Sequence, residues 1–260
     1  RGVIFYLSAH QPHWLALCDF PLFVSRTRLA KRRRSLPRAR SVWALDSGGF
    51  SQLDKRGTWP ITARQYAGEV RRYRDEIGGM AWAAPMDWMC EPRVRATTGL
   101  TVAEHQRRTV NNYLELRTVA PDLPIIPVLQ GWALDDYLRC VDLYQRAGVD
   151  LTAQQVVGLG SVCRRQATAE IGAIVGTLAA LRLPLHGFGV KIAGLASYSA
   201  YLTSADSMAW SAWGRRTRPC VHGRANSEAN CRWFAGAWRD KVLAAVDGPA
   251  QLDLFAEVPG

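Results

Sequence analysis

A chain of 260 residues with 48% hydrophobic and 21% charged residues has a globular composition, which excludes an intrinsically disordered protein and allows one large core or two small ones. Polar residues, Gly or Pro interrupt every apolar run well before the ~18 residues that a membrane span needs. The formal charge of +11 favours polyanionic partners, nucleic acid first, and salt-sensitive association.

Taken in order, short apolar runs bounded by Gly, Pro or polar residues predict eight strands, over residues 3–7, 21–25, 41–46, 80–86, 125–130, 155–159, 185–190 and 205–210. Apolar residues recurring at spacings of three and four predict helices over 62–77, 101–119, 134–147 and 164–181. Thr101 with Glu104 reads as a capping box, and Gly148 as a helix stop. Strands alternating with helices imply a parallel sheet covered on its outside. Eight of them point to a closed (β/α)8 TIM-type barrel, with an open doubly wound sheet as the other arrangement. The expected organisation is a catalytic barrel over residues 1–214, a small helical or metal-binding appendage over 215–246, and a loosely held tail over 247–260.

Six cysteines are scattered through the chain, and no export signal precedes the first strand, so a reducing cytoplasm is expected rather than a disulfide framework. Positive charge is densest over residues 26–40, where Arg32, Arg33, Arg34, Arg38 and Arg40 occur with no acidic residue among them. Such a run is either a solvated loop or a phosphate-contacting segment, and the missing acids favour the second.

The chemistry gathers at strand ends. The third run closes on Asp46-Ser47-Gly48-Gly49-Phe50, the fourth on Asp87-Trp88, and the fifth on Gln130-Gly131-Trp132. The sixth leads into Gly158-Leu159-Gly160-Ser161, the seventh carries His186-Gly187-Phe188-Gly189 towards Lys191, and the last carries Asp206-Ser207. Each group taken singly also suits a turn or a helix cap. Together, at the carboxyl ends of parallel strands, they would converge on one face. Three carboxylates and a carboxamide there suit a planar ligand such as a guanine-type purine: Asp accepts from a ring N–H and an exocyclic amine, while Gln130 and the Gly131 amide donate to a carbonyl. Trp88, Trp132 and Trp210 flank three of these groups and are candidates to stack on an extruded base.

The order of Asp46-Ser47-Gly48-Gly49-Phe50, Gln130-Gly131, Gly158-Leu159-Gly160 and a late Asp206 resembles the tRNA-guanine transglycosylases. His10-Gln11-Pro12, Trp82-Ala83-Ala84-Pro85, Asp87-Trp88-Met89-Cys90-Glu91-Pro92, residues 158–165 and residues 204–210 resemble the deazapurine DNA-modification branch, the DpdA-like proteins. That resemblance implies a bacterial or phage-encoded cytoplasmic enzyme that exchanges guanine in DNA for a free 7-deazaguanine base of the preQ0 type. Asp206 would be the nucleophile at C1′ and Asp46 the second catalytic carboxylate. Asp87, Gln130, Gly131, Gly158, Leu159 and Ser47 would form the base-reading set. Exchange on tRNA, or a catalytically silent nucleic-acid-binding barrel, are the alternatives. Two acidic groups facing a polyanion argue against the silent barrel, because they cost affinity.

Near the C-terminus, Cys220-Val221-His222 and Cys231 have partial zinc spacing. Proteins of the resembled pattern place a further Cys where this chain has Glu228. The expectation is either a structural Zn2+ held by Cys220, His222, Glu228 and Cys231, or a degenerate site held by packing.

Overall fold

The computed structural model describes residues 2–247, apart from 164, 166–168, 191 and 224. Among the described residues the strands are β1 (Ile4–Ala9), β2 (Leu22–Ser25), β3 (Trp43–Asp46), β4 (Met80–Ala83), β5 (Val128–Leu129), β6 (Val157–Leu159), β7 (Leu185–Gly187) and β8 (Ser204–Ser207). The helices are α1 (Arg26–Leu29), α2 (Gly49–Arg56), α3 (Ala63–Ile77), α4 (Pro92–Thr98), α5 (Val102–Val119), α6 (Leu134–Arg146), α7 (Ala169–Ala180), α8 (Ile192–Tyr198), α9 (Ala209–Arg216) and α10 (Arg232–Asp247). All recorded pairings are parallel, in the order β4-β3-β2-β1-β8-β7-β6-β5.

This is an α/β fold built on a curled parallel sheet. Its edges approach each other: Ala83 and Ile125 form a parallel bridge, Ala83 N–H donates to Pro124 O at 2.9 Å, and Ile126 N–H donates to Ala83 O at 3.1 Å. The stretch expected as a strand over 125–130 keeps only Val128–Leu129 in the ladder. Pro124 and Pro127 flank its first half and supply no N–H to a neighbour.

Side chains alternate along each strand. Phe5, Leu7, Trp43, Leu45, Val157, Leu159 and Leu185 point outward into the large core shared with the helices. Tyr6, Phe23, Ala44, Trp82, Ile126 and Val128 form a separate cluster inside the curl, with Phe188 packed against it. That inner plug is a floor.

Three of the four predicted helices appear with shifts of at most one residue, and Thr62 caps α3 with a capping box to Gln65. At α5 the Thr101 side chain accepts from the Glu104 amide at 3.2 Å. The helix expected over 164–181 is described from Ala169; residues 164 and 166–168 lie outside the described residues. Lys191 and nearly all of the expected tail are also outside them. Three strand expectations overrun at their ends: 80–86 stops at Ala83, 185–190 at Gly187 and 205–210 at Ser207. The run 205–210 leaves the sheet after Ser207 and enters α9, because β1 offers its last partner at Leu7 and Trp210 instead packs on Trp14 with ring centroids 5.3 Å apart. Ala235, Trp238 and Val242 of α10 join the main core.

Candidate active site

Period two along the strands builds the site. The floor layer holds Tyr6, Phe23, Ala44, Trp82, Val128, Gly158, His186 and Ser204; the next inward position on each chain segment is Ser8, Ser25, Asp46, Ala84, Gln130, Gly160, Phe188 and Asp206. All eight of this second set line one cavity of about 430 Å³ at the carboxyl ends of the strands, joined by Asp87, Glu91, Ser161, His10, Arg28 and Phe50. Asp46 and Asp206 therefore share a cavity although 160 residues separate them.

Asp206 is held on both oxygens. Ser8 Oγ donates to Oδ2 at 2.6 Å, the Gly189 amide donates to Oδ1 at 2.9 Å, and His186 Nε2 stands 3.3 Å from Oδ1. His186 is fully buried among Tyr6, Phe23, Trp82 and Phe188, and its Nδ1 lies 2.8 Å from Ser204 Oγ. A proton on Nε2 directed at Asp206, with Ser204 donating to Nδ1, satisfies every one of these contacts. The carboxylate is fixed in position, and Oδ2 carries the fewer donors.

Asp46 ends β3, and its Oδ1 accepts from the Gly48 amide at 3.0 Å. Gly48 has φ of +82° and a Cβ there would stand 2.6 Å from Thr27 Cγ2, so two independent constraints require glycine in this turn. Desolvation is the main influence on the Asp46 carboxyl and pushes its pKa up; the Gly48 amide and Ser25 hydroxyl pull it back, and the charge of Asp206 adds to the rise.

Asp87 accepts from Gln130 Nε2 at 2.5 Å and from Ser47 Oγ at 3.3 Å. Burial, then the neighbouring Asp46 charge, raise its pKa to about 7. Below about pH 4 it is protonated folded or unfolded. Between about pH 4 and pH 7 only the folded protein keeps the proton, so stability falls across that window and by about pH 8 has lost roughly 2–4 kcal/mol. Asp87→Asn should remove this loss: its melting temperature should rise relative to the parent protein between pH 4 and pH 8. A difference independent of pH would refute the raised Asp87 pKa.

Gln130 is fully buried, and its Oε1 lies 2.6 Å from Ser161 Oγ. Ser161 Oγ also lies 2.9 Å from Glu91 Oε2 and accepts from the Cys90 amide at 2.7 Å. A Cβ on Gly160 would collide with the Gln130 amide, so that glycine makes room for the carboxamide.

Of the sequence-predicted set, Asp46, Asp87, Gln130 and Asp206 come together in the cavity wall. Ser47 is buried behind it and reaches it through Asp87. Gly158 lies one layer down, where a Cβ would stand 2.6 Å from Phe188; Leu159 points outward into the core; Gly131 packs against Asp136 and Tyr137. None of these three lines the cavity, where Gly160 and Ser161 stand instead.

The tryptophans are not base platforms in this cavity. Trp210 is fully buried and donates from Nε1 to Ser8 O at 2.9 Å, Trp88 packs edge-on to His105, and Trp132 lies under Arg165 at 3.8 Å. Phe23, Phe50 and Phe188 supply the aromatic lining. Sequence reasoning gave Ser8, His186, Ser161 and Glu91 no role as site residues; for Ser8 and His186 the available signal was the period-two spacing along the strands, while Ser161 and Glu91 lie beyond the strand ends.

Arg32, Arg33, Arg34, Arg38 and Arg40 do not line the cavity either, and the cation of the basic segment that does so is Arg28. Arg38 leans towards Gly78 and donates to Asp75 O at 3.4 Å, beside the amino end of β4.

At the other end of the chain, Cys220, His222, Glu228 and Cys231 bring one ligand atom each within 4.8 Å of one another, an arrangement that could hold a metal ion. Cys220 Sγ–H donates to Glu228 Oε2 at 2.9 Å, and Glu228 Oε1 accepts from the Val221 amide at 2.8 Å. Cys18, Cys90, Cys140, Cys220 and Cys231 form no disulfide.

A curled parallel sheet with paired acids and a carboxamide in a cavity at its strand carboxyl ends defines an α/β protein of enzyme type. The chain belongs to the DpdA family, "DeoxyPurine in DNA protein A", which it matches over residues 3–256; the family is tRNA-guanine transglycosylase-like and involved in DNA modification. No curated protein matches it. Among solved structures it is similar to a Sinorhizobium meliloti protein in an open-loop conformation whose assignment as an isomerase is provisional, with 11% identity and a TM-score of 0.42. The likeness covers 78% of this chain and 50% of that one, so the chain spans half that protein's length, and a likeness of this size carries no weight for function. No helix among the described residues is long and apolar enough to cross a membrane.

Proposed function

We propose that the protein is a DNA transglycosylase that replaces guanine by a preQ0-type 7-deazaguanine through a covalent sugar–aspartate intermediate. The observation that carries the reading is the meeting of Asp46 and Asp206 in one cavity beside Asp87 and Gln130. In this mechanism Asp206 Oδ2 attacks C1′ of the target deoxynucleotide. The C1′–O bond forms as the C1′–N9 bond breaks, and guanine departs with a proton from Asp46. The incoming base gives its N9 proton back to Asp46 and attacks C1′, expelling the Asp206 carboxylate. Two displacements retain the sugar configuration, as in retaining glycosidases. A duplex hides C1′ and the base edge, so the nucleotide enters flipped out or single-stranded.

In this reading Asp87 and Gln130 read the base. The carboxylate accepts from the ring N–H and exocyclic amine, and Gln130 is held by Ser161 and Asp87 so that its amide faces one way. Asp87→Asn should weaken discrimination for the guanine-type edge by roughly 1–3 kcal/mol, read as the ratio of kcat/KM for competing bases. An unchanged ratio would remove Asp87 from recognition.

The curled sheet is read as a closed (β/α)8 barrel, joined through the Ala83–Ile125 bridge. Residues 1–214 would then be the catalytic body and 215–246 the appendage, with 247–260 as a tail. Two thiols, an imidazole and a carboxylate are a donor set that zinc accepts, and Cys220, His222, Glu228 and Cys231 would hold Zn2+ in a structural role. Protein purified without added zinc should contain about one equivalent and lose thermal stability with Cys220→Ser; less than about half an equivalent would overturn the assignment.

The deciding experiment incubates the protein with a nitrile-bearing 7-deazaguanine and either DNA or tRNA, then digests the polymer and weighs the nucleosides. The expected product is the modified deoxynucleoside. Incorporation into tRNA alone, or into neither polymer, would overturn the proposal. The reaction is placed in the bacterial cytoplasm, where free base and DNA meet.

A further inference from the structure

A second cavity, of about 660 Å³, opens at the amino ends of the strands, on the side away from the carboxylates. Its wall is formed by residues 17–21 leading into β2, by Arg40 ahead of β3, and by Arg232, Trp233, Arg239 and Asp240 of α10. Three guanidinium groups face two carboxylates here, Asp19 and Asp240, which leaves an excess of one positive charge.

The guanidiniums are arranged but incompletely used. Arg239 lies over the Phe20 ring at 4.9 Å and contacts Asp240 Oδ1 at 3.2 Å, while its Nε is buried with no hydrogen-bond partner. Arg232 donates to Leu17 O at 3.2 Å and stacks on Trp233 at 4.2 Å, which is 58% exposed. Arg40 is anchored by its amide, which donates to Leu15 O at 2.9 Å, and its exposed side chain has no recorded partner among the described residues. Arg32 and Arg232 both act electrostatically on His13, so the positive field continues from this cavity into the basic segment. That segment, whose one cation in the catalytic cavity is Arg28, has its distal end here.

The geometry points to an oxyanion site for a phosphate group at this second cavity, gripped by Arg40, Arg232 and Arg239. The planar guanidinium fork matches phosphate geometry, and a phosphate oxygen would give the Arg40 side chain an acceptor while balancing the excess positive charge of the cavity. The phosphate can come from the backbone of a polynucleotide running past the protein or from a free nucleotide.

The test titrates the intact protein by calorimetry, at fixed low salt, with inorganic phosphate, a deoxynucleoside monophosphate and a short single-stranded oligodeoxynucleotide. At least one should bind, and Arg239→Gln and Arg40→Gln should each weaken that binding about tenfold or more. Arg40→Gln disturbs no recorded internal side-chain contact, so it reads the site even if Arg239→Gln unfolds the helix. Loss confined to the oligonucleotide identifies the polymer backbone as the source, and loss for all three identifies a small phosphate ligand. No binding by the parent protein, or equal affinity in the parent and both variants for all three probes, would overturn the site. The titration involves no base exchange, so its failure is distinguishable from failure of the transglycosylase reading.

Discussion

Asp206→Ala should abolish exchange of labelled guanine in DNA, a loss of at least about 10³-fold. The substitution removes the atom that forms the sugar ester, and the other acids of the cavity are engaged elsewhere: Asp46 by the Gly48 amide, Asp87 by Gln130 and Glu91 by Ser161. Nucleic-acid binding should be retained or tightened, because one negative charge facing a polyanion is gone. The variant also strands three groups that now meet the carboxylate, Ser8 Oγ, the Gly189 amide and His186 Nε2, each at a cost of about 1–3 kcal/mol when buried and unpaired. Asp206→Asn separates the two effects. It keeps an acceptor oxygen and the side-chain shape but cannot act as a carboxylate nucleophile, so it should be more stable than Asp206→Ala and equally inactive. Turnover surviving in both would remove Asp206 from the chemistry.

Asp46→Asn should slow exchange by about 10²- to 10⁴-fold, the range for loss of a positioned proton donor. The parent rate should fall on the alkaline side as Asp46 loses its proton, at a pH above that of an ordinary carboxyl because desolvation and the Asp206 charge raise its pKa. Asp87, with its pKa near 7, can contribute a limb of its own. The comparison is therefore made in the Asp87→Asn background: an alkaline limb that persists there and disappears on adding Asp46→Asn belongs to Asp46. Identical profiles with and without Asp46→Asn would assign the proton to another group.

The site was partly legible because its acids stand where apolar strands end. Asp46 follows Trp43-Ala44-Leu45, and a carboxylate after such a run emerges at the carboxyl end of its strand, so its position could be read without coordinates. Gln130 follows the same logic, whereas Asp206 stands near the start of the expected run 205–210 and was singled out as the nucleophile by the resemblance alone. Leu159 faces the outer core because successive residues of a strand point to opposite faces, and Gly158 shares the inward face of Gly160 but lies one layer deeper. The glycine that meets Gln130 is Gly160, two positions on. His186 looked like part of a glycine turn; its role depends on β7 pairing with β8 so that its ring falls beside Ser204 and Asp206, a relation between separate segments. The basic segment was legible in charge but not in place. Charge density says that a stretch meets solvent or anion but not at which end of the sheet, and here the chain crosses from the cavity rim at Arg28 to the opposite end at Arg40. The terminal Cys-His-Glu-Cys cluster was legible because its ligands lie close in sequence and span a single short loop.

The most direct measurement takes protein mixed with guanine-containing DNA in the absence of any incoming base, quenches it with acid, digests it and maps by mass the peptide that carries a sugar-linked nucleotide remnant. The account predicts the remnant on the carboxylate of Asp206, absent in Asp206→Asn. A remnant on a different residue, or one formed equally well by the Asp206→Asn protein, would contradict it.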